Sequence, residues 1–415
     1  MNEKETARLY ADAQTIYKEC LSACLPDTAV ERALKEIPPP PGKTVLIAIG
    51  KAAWQMANAA HRKLGDGISG VVITKYGHSG GEIGSLQICE AGHPMPDENS
   101  VKATAAAIEA VKDLGEKDQV LFLVSGGGSA LFELPLIPLE ELQGITQQLL
   151  ACGADIVEIN TIRKRLSAVK GGRFAKLCAP AKVYSVILSD IIGDPLDMIA
   201  SGPTFPDTTE RGKAEDIVEK YGLLLSAEAK RALQEDLPKE LPNAKCFVTG
   251  SVKELCRAAA EASSHLGYKT TILTDTLCCE AKDAGSFLAS IAKSHAGDGC
   301  AKAFIAGGET VVHLSGKGKG GRNQELAISA AAGIAGIKNV VIFSIGSDGT
   351  DGPTDAAGGI VDGETEDKLK QNGLSVAQVL KDNDAYHALE KVEGLIITGP
   401  TGTNVNDVAV VLLGT

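Results

Sequence analysis

The stretch VLFLVSGGGSALFELP, residues 120–135, joins an apolar run to a glycine-rich loop. Five apolar residues lead directly into Ser125, and apolar residues resume after Ser129. Such a run, ending in glycine, is typical of a buried strand in a parallel sheet. A loop between a strand and a helix can bind phosphate through its backbone N–H groups, but glycine also serves any turn that needs a positive φ. Both interpretations of the loop, Ser125, Gly126, Gly127, Gly128 and Ser129, stay open at this point.

Runs of the same kind recur along the chain. They are TVLIAIG, GVVITK, VLFLV, VYSVILS, KTTILT, AFIAGG, NVVIFSIG and GLIITG, most of them separated by alanine-rich stretches. This alternation predicts an α/β fold with parallel or mixed sheets covered by helices. Charge and proline interrupt the pattern near residues 232–246 and predict two domains, an N-terminal Rossmann-like domain over 1–240 and a C-terminal α/β domain over 241–415. The packing of the first 36 residues stays open.

Composition excludes several classes of function. The net charge of −12 argues against a nucleic-acid partner, because phosphate backbones are bound by surplus Lys and Arg. No apolar run reaches the roughly 18 residues that a membrane span needs, and the first ten residues are too polar for a signal peptide, so we expect a cytoplasmic protein. The ten cysteines include no CxxC pair, and we expect ordinary reduced thiols.

Polar loops follow nearly every strand of the pattern. Ligands of open α/β sheets bind at the carboxyl ends of the strands. Lys51 directly follows the first strand and Arg322 begins a helix, so each could bind a phosphate or carboxylate, although either could also be a surface charge. His93 lies in a proline-flanked loop after a strand and could contact the same ligand.

Aspartates are concentrated in two of these loops. SDIIGDP contains Asp190 and Asp194, and SDGTDGPTD contains Asp348, Asp351 and Asp355. A carboxylate at a strand end can hold Mg²⁺ or accept a proton from a hydroxyl, but aspartate is also an ordinary turn residue. The aspartates therefore add either a metal site or a general base to the predicted ligand site.

GKGKGG, residues 316–321, formally matches the dinucleotide fingerprint GxGxxG. Two lysines crowd the loop, and no acidic residue lies about 20 positions beyond it for a ribose. A dinucleotide site is thus weakly supported.

Taken together, the motifs resemble the class II glycerate kinases, the glycerate 2-kinase family with a C-terminal MOFRL domain. The matching segments, in the order of the family, are GKAA (50–53), AGHPMPD (91–97), LVSGGGSAL (123–131), INTIRKRLSAVKGGR (159–173), LSDIIGDPLDMIASGPT (188–204), GGET (307–310), GKGKGGRNQELAI (316–328), GSDGTDGPTDAAGG (346–359) and TGPTGTNVNDV (398–408). They extend from about residue 40 to the C-terminus, with a MOFRL-like region over about 300–410.

The resemblance implies ATP-dependent, Mg²⁺-requiring phosphorylation of D-glycerate, with 2-phosphoglycerate as product and an active site in the cleft between two α/β domains. Lys51 and Arg322 match the family's basic catalytic residues and Asp190 its acidic one, the expected acceptor of the hydroxyl proton. The loop 125–129 would hold the ATP phosphates. Arg163, Lys170 and His93 are expected to bind substrate, and Asp194, Asp348 and Asp351 are the candidate ligands of the metal.

Two rival functions remain at this point. An NAD(P)H-dependent hydroxypyruvate or 2-hydroxy-acid oxidoreductase would use GKGKGG as its dinucleotide loop, and a sugar-acid or nucleotide sensor would bind without turnover. The expected partners are small molecules only, without nucleic acid or membrane, and the chain is expected to be a monomer or a homodimer.

Overall fold

The computed structural model describes residues 3–210 and 212–415, which form two compact units. The first unit contains the described residues of 26–189 and 194–249, and the second contains 3–25, 190–193 and 250–415. The domain boundary predicted near residue 240 places the first 25 residues in the N-terminal domain. In the structure, the described residues of this segment belong to the second unit.

The first unit is built on a six-stranded sheet in the order β3-β2-β1-β4-β5-β6. Pairing of β1 with β2 and β4, of β2 with β3, and of β4 with β5 is parallel. Its strands are β1 Thr44–Ile49, β2 Ile68–Lys75, β3 Ser85–Ala91, β4 Gln119–Val124, β5 Lys182–Leu188 and β6 Ala244–Gly250. All side chains of the central strands β1 and β4 are buried, as expected where helices cover both faces of a parallel sheet.

The second unit has a six-stranded mixed sheet in the order β11-β10-β9-β12-β8-β7. Only β7 and β8 pair in parallel, and the other neighbours are antiparallel. Its strands are β7 Lys269–Leu277, β8 Lys302–Gly308, β9 Val340–Gly346, β10 Gly358–Asp362, β11 Leu395–Ile396 and β12 Asp407–Leu413. The predicted α/β class with parallel or mixed sheets is thus confirmed.

Sixteen α-helices are present among the described residues. They are α1 Glu3–Ala23, α2 Pro26–Leu34, α3 Ala53–Leu64, α4 Glu98–Val111, α5 Gly128–Leu131, α6 Leu139–Ala151, α7 Ile156–Arg165, α8 Arg173–Leu177, α9 Lys213–Tyr221, α10 Ala227–Leu233, α11 Val252–His265, α12 Ala281–His295, α13 Arg322–Gly333, α14 Thr365–Gln371, α15 Val376–Asp382 and α16 Ala385–Lys391. None of these helices has the length and apolar character that crossing a bilayer requires.

Helix α1 packs into the core of the second unit. Leu9, Ala13, Ile16 and Cys20 recur at helical spacing and are at most 1% exposed. The ring of Tyr17 meets Phe343 of β9 edge to face, with centroids 5.9 Å apart. The N-terminal helix therefore covers one face of the second sheet, which answers for residues 3–25 the question that the sequence left open.

Candidate functional site

Strand register brings four loops of the first unit to one edge of its sheet. Ile49, at the end of β1, pairs with Val124, at the end of β4, and with Ile73 of β2. Lys75 at the end of β2 pairs in turn with Ala91 of β3. Because all four strands are parallel, the loops after them lie side by side, and this edge carries Lys51, His78, His93 and residues 125–129.

Four basic groups meet at this edge, and we name them the cationic cluster: Lys51, Lys75, His78 and His93. The pKa of His93 lies below its ordinary value because partial burial disfavours the charged ring and because Lys51, Lys75 and His78 repel a further positive charge. His78 Nδ1 lies 3.3 Å from the carbonyl oxygen of Lys51. Neither Lys51 nor Lys75 forms an ion pair with any residue that the structure describes, so the cluster is not neutralised from within this part of the chain.

The turn that carries His78 is fixed by a carboxylate. Glu90 of β3 accepts hydrogen bonds from the backbone N–H groups of Gly77, at 3.0 Å, and Ser79, at 3.1 Å, and from the Ser79 hydroxyl at 2.7 Å. These bonds lower the pKa of Glu90, which keeps the carboxylate ionised and the turn in place.

The glycine loop presents backbone N–H groups beside the cluster. Among the described residues, no protein acceptor receives the N–H groups of residues 126–129. Gly127 has φ 85°, and a Cβ atom there would lie 2.9 Å from Cδ2 and Nε2 of His93 and 3.4 Å from Cγ of Lys51. Only glycine therefore lets the loop approach these two side chains so closely.

Ser125 braces the loop. Its buried hydroxyl donates to the carbonyl oxygen of Ile49 at 3.2 Å and accepts from the N–H of Ala52 at 3.0 Å. The side chain thus ties the end of β4 to the end of β1. The helix that follows the loop, α5, is only four residues long, so a helix dipole contributes little to anion binding here.

Arg163 reaches the loop from α7. Its Nη2 lies 3.4 Å from the carbonyl oxygen of Ser129, and its buried Nε has no acceptor among the described residues. Burial lowers the pKa of Arg163, while Glu133 opposes that shift. A guanidinium with so few protein acceptors remains available to an anionic ligand.

Lys170, predicted to bind substrate, lies instead in the core of the first unit. It is 0% exposed, and its Nζ is 3.0 Å from Oε2 of Glu133, which is also 0% exposed. The same ammonium donates to the carbonyl oxygen of Phe132 at 2.7 Å, and burial lowers the pKa of Lys170 to about 8. Lys170 therefore supports the segment after the glycine loop and has no free face for a ligand.

Asp194, a predicted metal ligand, has a half-buried side chain in the first unit. Its Oδ1 is buried and has no hydrogen-bond donor among the described residues, and its backbone has φ 50°. A buried carboxylate oxygen without a donor fits a cation.

In the second unit, Arg322 is held by two carboxylates. Its Nε and Nη2 donate to Asp407 at 2.5 and 3.1 Å, and its Nη1 donates to Glu309 at 3.0 Å. Burial alone would disfavour the charge, but these partners raise the pKa of Arg322. The sequence predicted that Arg322 could bind an anionic ligand, but in the structure it forms a bidentate pair with Asp407 at the start of β12.

Asp351, another predicted metal ligand, caps α13. It is 3% exposed; its Oδ1 accepts from the N–H of Asn323 at 3.2 Å and its Oδ2 from the N–H of Gln324 at 2.9 Å. Burial raises the pKa of Asp351 to about 6 in spite of these donors. Both oxygens satisfy the first turn of the helix, so the residue has a structural explanation.

Asp348 and Asp190 differ from Asp351 in their surroundings. Asp348 is half-buried, and its Oδ1 accepts from the N–H of Thr350 at 3.0 Å. The carbonyl oxygen of Asp190 accepts from Nδ2 of Asn406 at 3.1 Å, which ties residues 190–193 to the second unit. Within the described ranges, no group of three or more His, Cys, Asp or Glu residues is arranged to hold a metal ion.

The GKGKGG loop is occupied by its own protein. The N–H groups of Gly316, Gly318 and Lys319 donate to Asn383 Oδ1 at 2.9 Å, to the Asp382 carbonyl at 2.8 Å and to Asp384 Oδ1 at 2.9 Å. Asp351 also caps the helix that follows, so these N–H groups of the loop and the first turn are not available to a pyrophosphate. These internal hydrogen bonds argue against the dinucleotide interpretation of this motif.

Sequence reasoning did not single out Lys75, His78, Glu309 or Asp407. Asp407 lies in a quoted motif, TGPTGTNVNDV, but only the sheet order shows that it faces Arg322, 85 positions earlier. Lys75 ends a predicted strand, a position that could have drawn attention to it.

The chain is similar to two protein families and to proteins of known structure. Residues 12–234 match a domain of unknown function, DUF4147, and residues 302–407 match the MOFRL family. A D-glycerate 2-kinase of Thermotoga maritima is 52% identical over 405 residues, 96% of this chain and 97% of that protein. The crystal structure of a glycerate kinase from Thermotoga maritima superposes with a TM-score of 0.94 at 50% identity, covering 98% of this chain and 100% of that one.

A protein of Agrobacterium vitis that carries the provisional name hydroxypyruvate reductase is 39% identical over 388 residues, 90% of this chain and 100% of that protein. Its lower identity gives that name less weight than the kinase name. The two matched domains and the 52% identity over nearly the whole chain confirm the resemblance found in the motifs: the chain belongs to the glycerate 2-kinase family with a C-terminal MOFRL domain.

Proposed function

We propose that this protein transfers the γ-phosphoryl group of ATP to D-glycerate and releases 2-phospho-D-glycerate. The observation that carries the proposal is the anion-binding edge of the first unit, where the cationic cluster adjoins the N–H groups of residues 126–129. Cations and oriented N–H groups together are the usual means of binding a polyphosphate. The kinase name of the relative that is 52% identical supports the same activity.

Within this edge, Lys51 and the loop N–H groups hold the ATP phosphates. His93 carries little positive charge at neutral pH, because burial and its basic neighbours lower its pKa. It therefore offers the phosphates a neutral ring N–H, whereas Lys51 and Lys75 supply charge. Phosphoryl transfer depends mainly on positioning and charge neutralisation, and these groups provide both.

Arg163 is our candidate for binding the glycerate carboxylate. Its guanidinium is anchored on the Ser129 carbonyl, and its buried Nε lacks an acceptor among the described residues. Arg322 remains a candidate catalytic residue, but Asp407 and Glu309 already bind all three nitrogens of its guanidinium. It would act through the two N–H groups that these carboxylates leave unused.

Asp190 is our candidate to accept the proton of the glycerate hydroxyl. Mg²⁺, when bound, would neutralise the charge that develops on the transferred group. Asp194 could bind this ion through its buried Oδ1, which accepts no hydrogen bond among the described residues, and Asp348 is the second candidate. Mg²⁺ is commonly held by one or two carboxylates together with phosphate oxygens, so a cluster of three protein ligands is not required.

Phosphorus NMR of the purified protein with MgATP and D-glycerate tests the proposal. We expect a new phosphomonoester signal that matches 2-phosphoglycerate, and a Lys51→Met variant should produce it far more slowly. Formation of 3-phosphoglycerate would support the kinase activity but refute the proposed transfer to the 2-hydroxyl group. Absence of any product, with oxidation of NADH by hydroxypyruvate, would refute the kinase.

A further inference from the structure

A chain of three side chains ends at the glycine loop. The Ser129 and Ser201 hydroxyl oxygens lie 3.0 Å apart, and Ser201 donates to Oδ1 of Asn160 at 2.9 Å. A hydroxyl has one proton, so Ser129 is the donor to Ser201. The Ser129 hydroxyl proton is thus used within the protein, and the loop offers phosphate its backbone N–H groups at this residue. Ser201 and Asn160 are 0% and 2% exposed, so water competes little for these bonds.

The backbone at Ser201 is strained. Ala200, Ser201 and Gly202 have φ values of 50°, 61° and 63°, three consecutive residues in the left-handed region. Residues with a Cβ atom adopt this conformation only where their surroundings enforce it, and such residues cluster at functional sites.

Contacts on two sides enforce this turn. The carbonyl oxygens of Ser201 and Gly202 accept from the N–H groups of Gly171 at 3.0 Å and Gly172 at 2.7 Å. On the other side, a Cβ atom at Gly128 would lie 2.9 Å from Cβ of Ala200. The turn therefore packs between the segment KGGR, residues 170–173, and the glycine loop.

Helix α7 is linked to Ser129 in two ways, one indirect and one direct. Asn160 reaches it through Ser201, and Arg163, one helical turn later, bonds to its carbonyl oxygen. We propose that Ser201 and Asn160 are positioning residues that fix Ser129 and so aim the N–H groups of residues 126–129 at the nucleotide phosphates. This inference rests on the proposed ATP binding of the same loop.

Calorimetric titration with MgATP tests the inference, because it reports the loop without requiring turnover. The net contribution of one hydrogen bond is roughly 1 kcal/mol, so losing the bond that fixes Ser129 in Ser201→Ala should weaken MgATP binding about fivefold. Since Ser201 acts through Ser129, the Ser129→Ala/Ser201→Ala double variant should bind no more weakly than the weaker single variant. Asn160→Ala breaks the chain outside the strained turn and should shift affinity in the same direction even where Ser201→Ala fails to fold.

Ser185→Ala is the matched control. Its buried hydroxyl lies 2.6 Å from that of Thr204 in the same unit and forms no hydrogen bond with residues 125–129, so its loss should lower stability without changing MgATP affinity. Unchanged affinity in folded Ser201→Ala and Asn160→Ala proteins, or additive losses in the double variant, would overturn the positioning role. A wild-type protein that binds no MgATP would overturn the proposed function and this inference together.

Discussion

Replacing Gly127 by alanine separates a phosphate loop from an ordinary turn. The φ of 85° imposes a strain of about 1–2 kcal/mol on any residue with a Cβ atom. The new Cβ would also lie 2.9 Å from the His93 ring, closer than such atoms tolerate, so the ring or the loop must shift. A hydrogen bond to a charged group contributes about 1.5–3 kcal/mol, and misaligning one N–H group should therefore lower MgATP affinity by about 10- to 100-fold.

Gly153→Ala is the matched control for this experiment. Gly153 follows the C-terminus of α6 with φ 74°, and a Cβ atom there would have no neighbour within 4 Å. Both variants should therefore lose thermal stability through the same φ strain, while calorimetry should show weakened MgATP binding in Gly127→Ala alone. Equal affinities in the two folded variants would refute the phosphate-loop reasoning and return residues 125–129 to an ordinary turn.

Three further predictions concern charges that the protein neutralises internally. Lysine cannot form the bidentate pair with Asp407, so we expect Arg322→Lys to lower the free energy of urea unfolding by about 1–3 kcal/mol. The pKa of Asp351 is about 6 in the folded chain, whereas the unfolded chain releases this proton near pH 3.8. The free energy of unfolding should therefore fall by up to about 3 kcal/mol as the pH rises from 4 to 6. The Asp351→Asn variant should lack this pH dependence. Lys170→Met leaves the buried Glu133 charge unpaired and should cost about 3–5 kcal/mol in the same urea assay, whereas Lys170→Met combined with Glu133→Leu should recover most of this loss.

The sequence predicted the first unit well because its signals are local. The apolar runs that became β1, β2, β4 and β5 are followed by glycine or polar residues where each strand ends. Parallel strands place these ends at one edge, so the proximity of Lys51, His93 and the glycine loop could be anticipated.

The second unit was harder to anticipate because its signals are less local. Strand β12 was not predicted, although its sequence DVAVVLL is fully buried between β8 and β9. The polar loop before it was interpreted as part of a ligand site, and the strand that follows was overlooked. Strand β10 was missed as well, and so was β6 at the edge of the first sheet, because antiparallel and edge positions depend on pairings that no local pattern specifies.

From the sequence alone, all charged residues at strand ends appear equally available to a ligand. The structure shows which of them already have protein partners and which do not. Arg322, Lys170 and Asp351 each have protein groups that satisfy them within their own unit. The cationic cluster has the opposite arrangement, since its basic groups disfavour the charged form of His93 and its two lysines lack ion pairs among the described residues. Gathering like charges opposes folding, and an anion that binds them relieves the repulsion. The unbalanced charge, more than the glycine motif itself, therefore makes this edge the strongest candidate for the phosphate site.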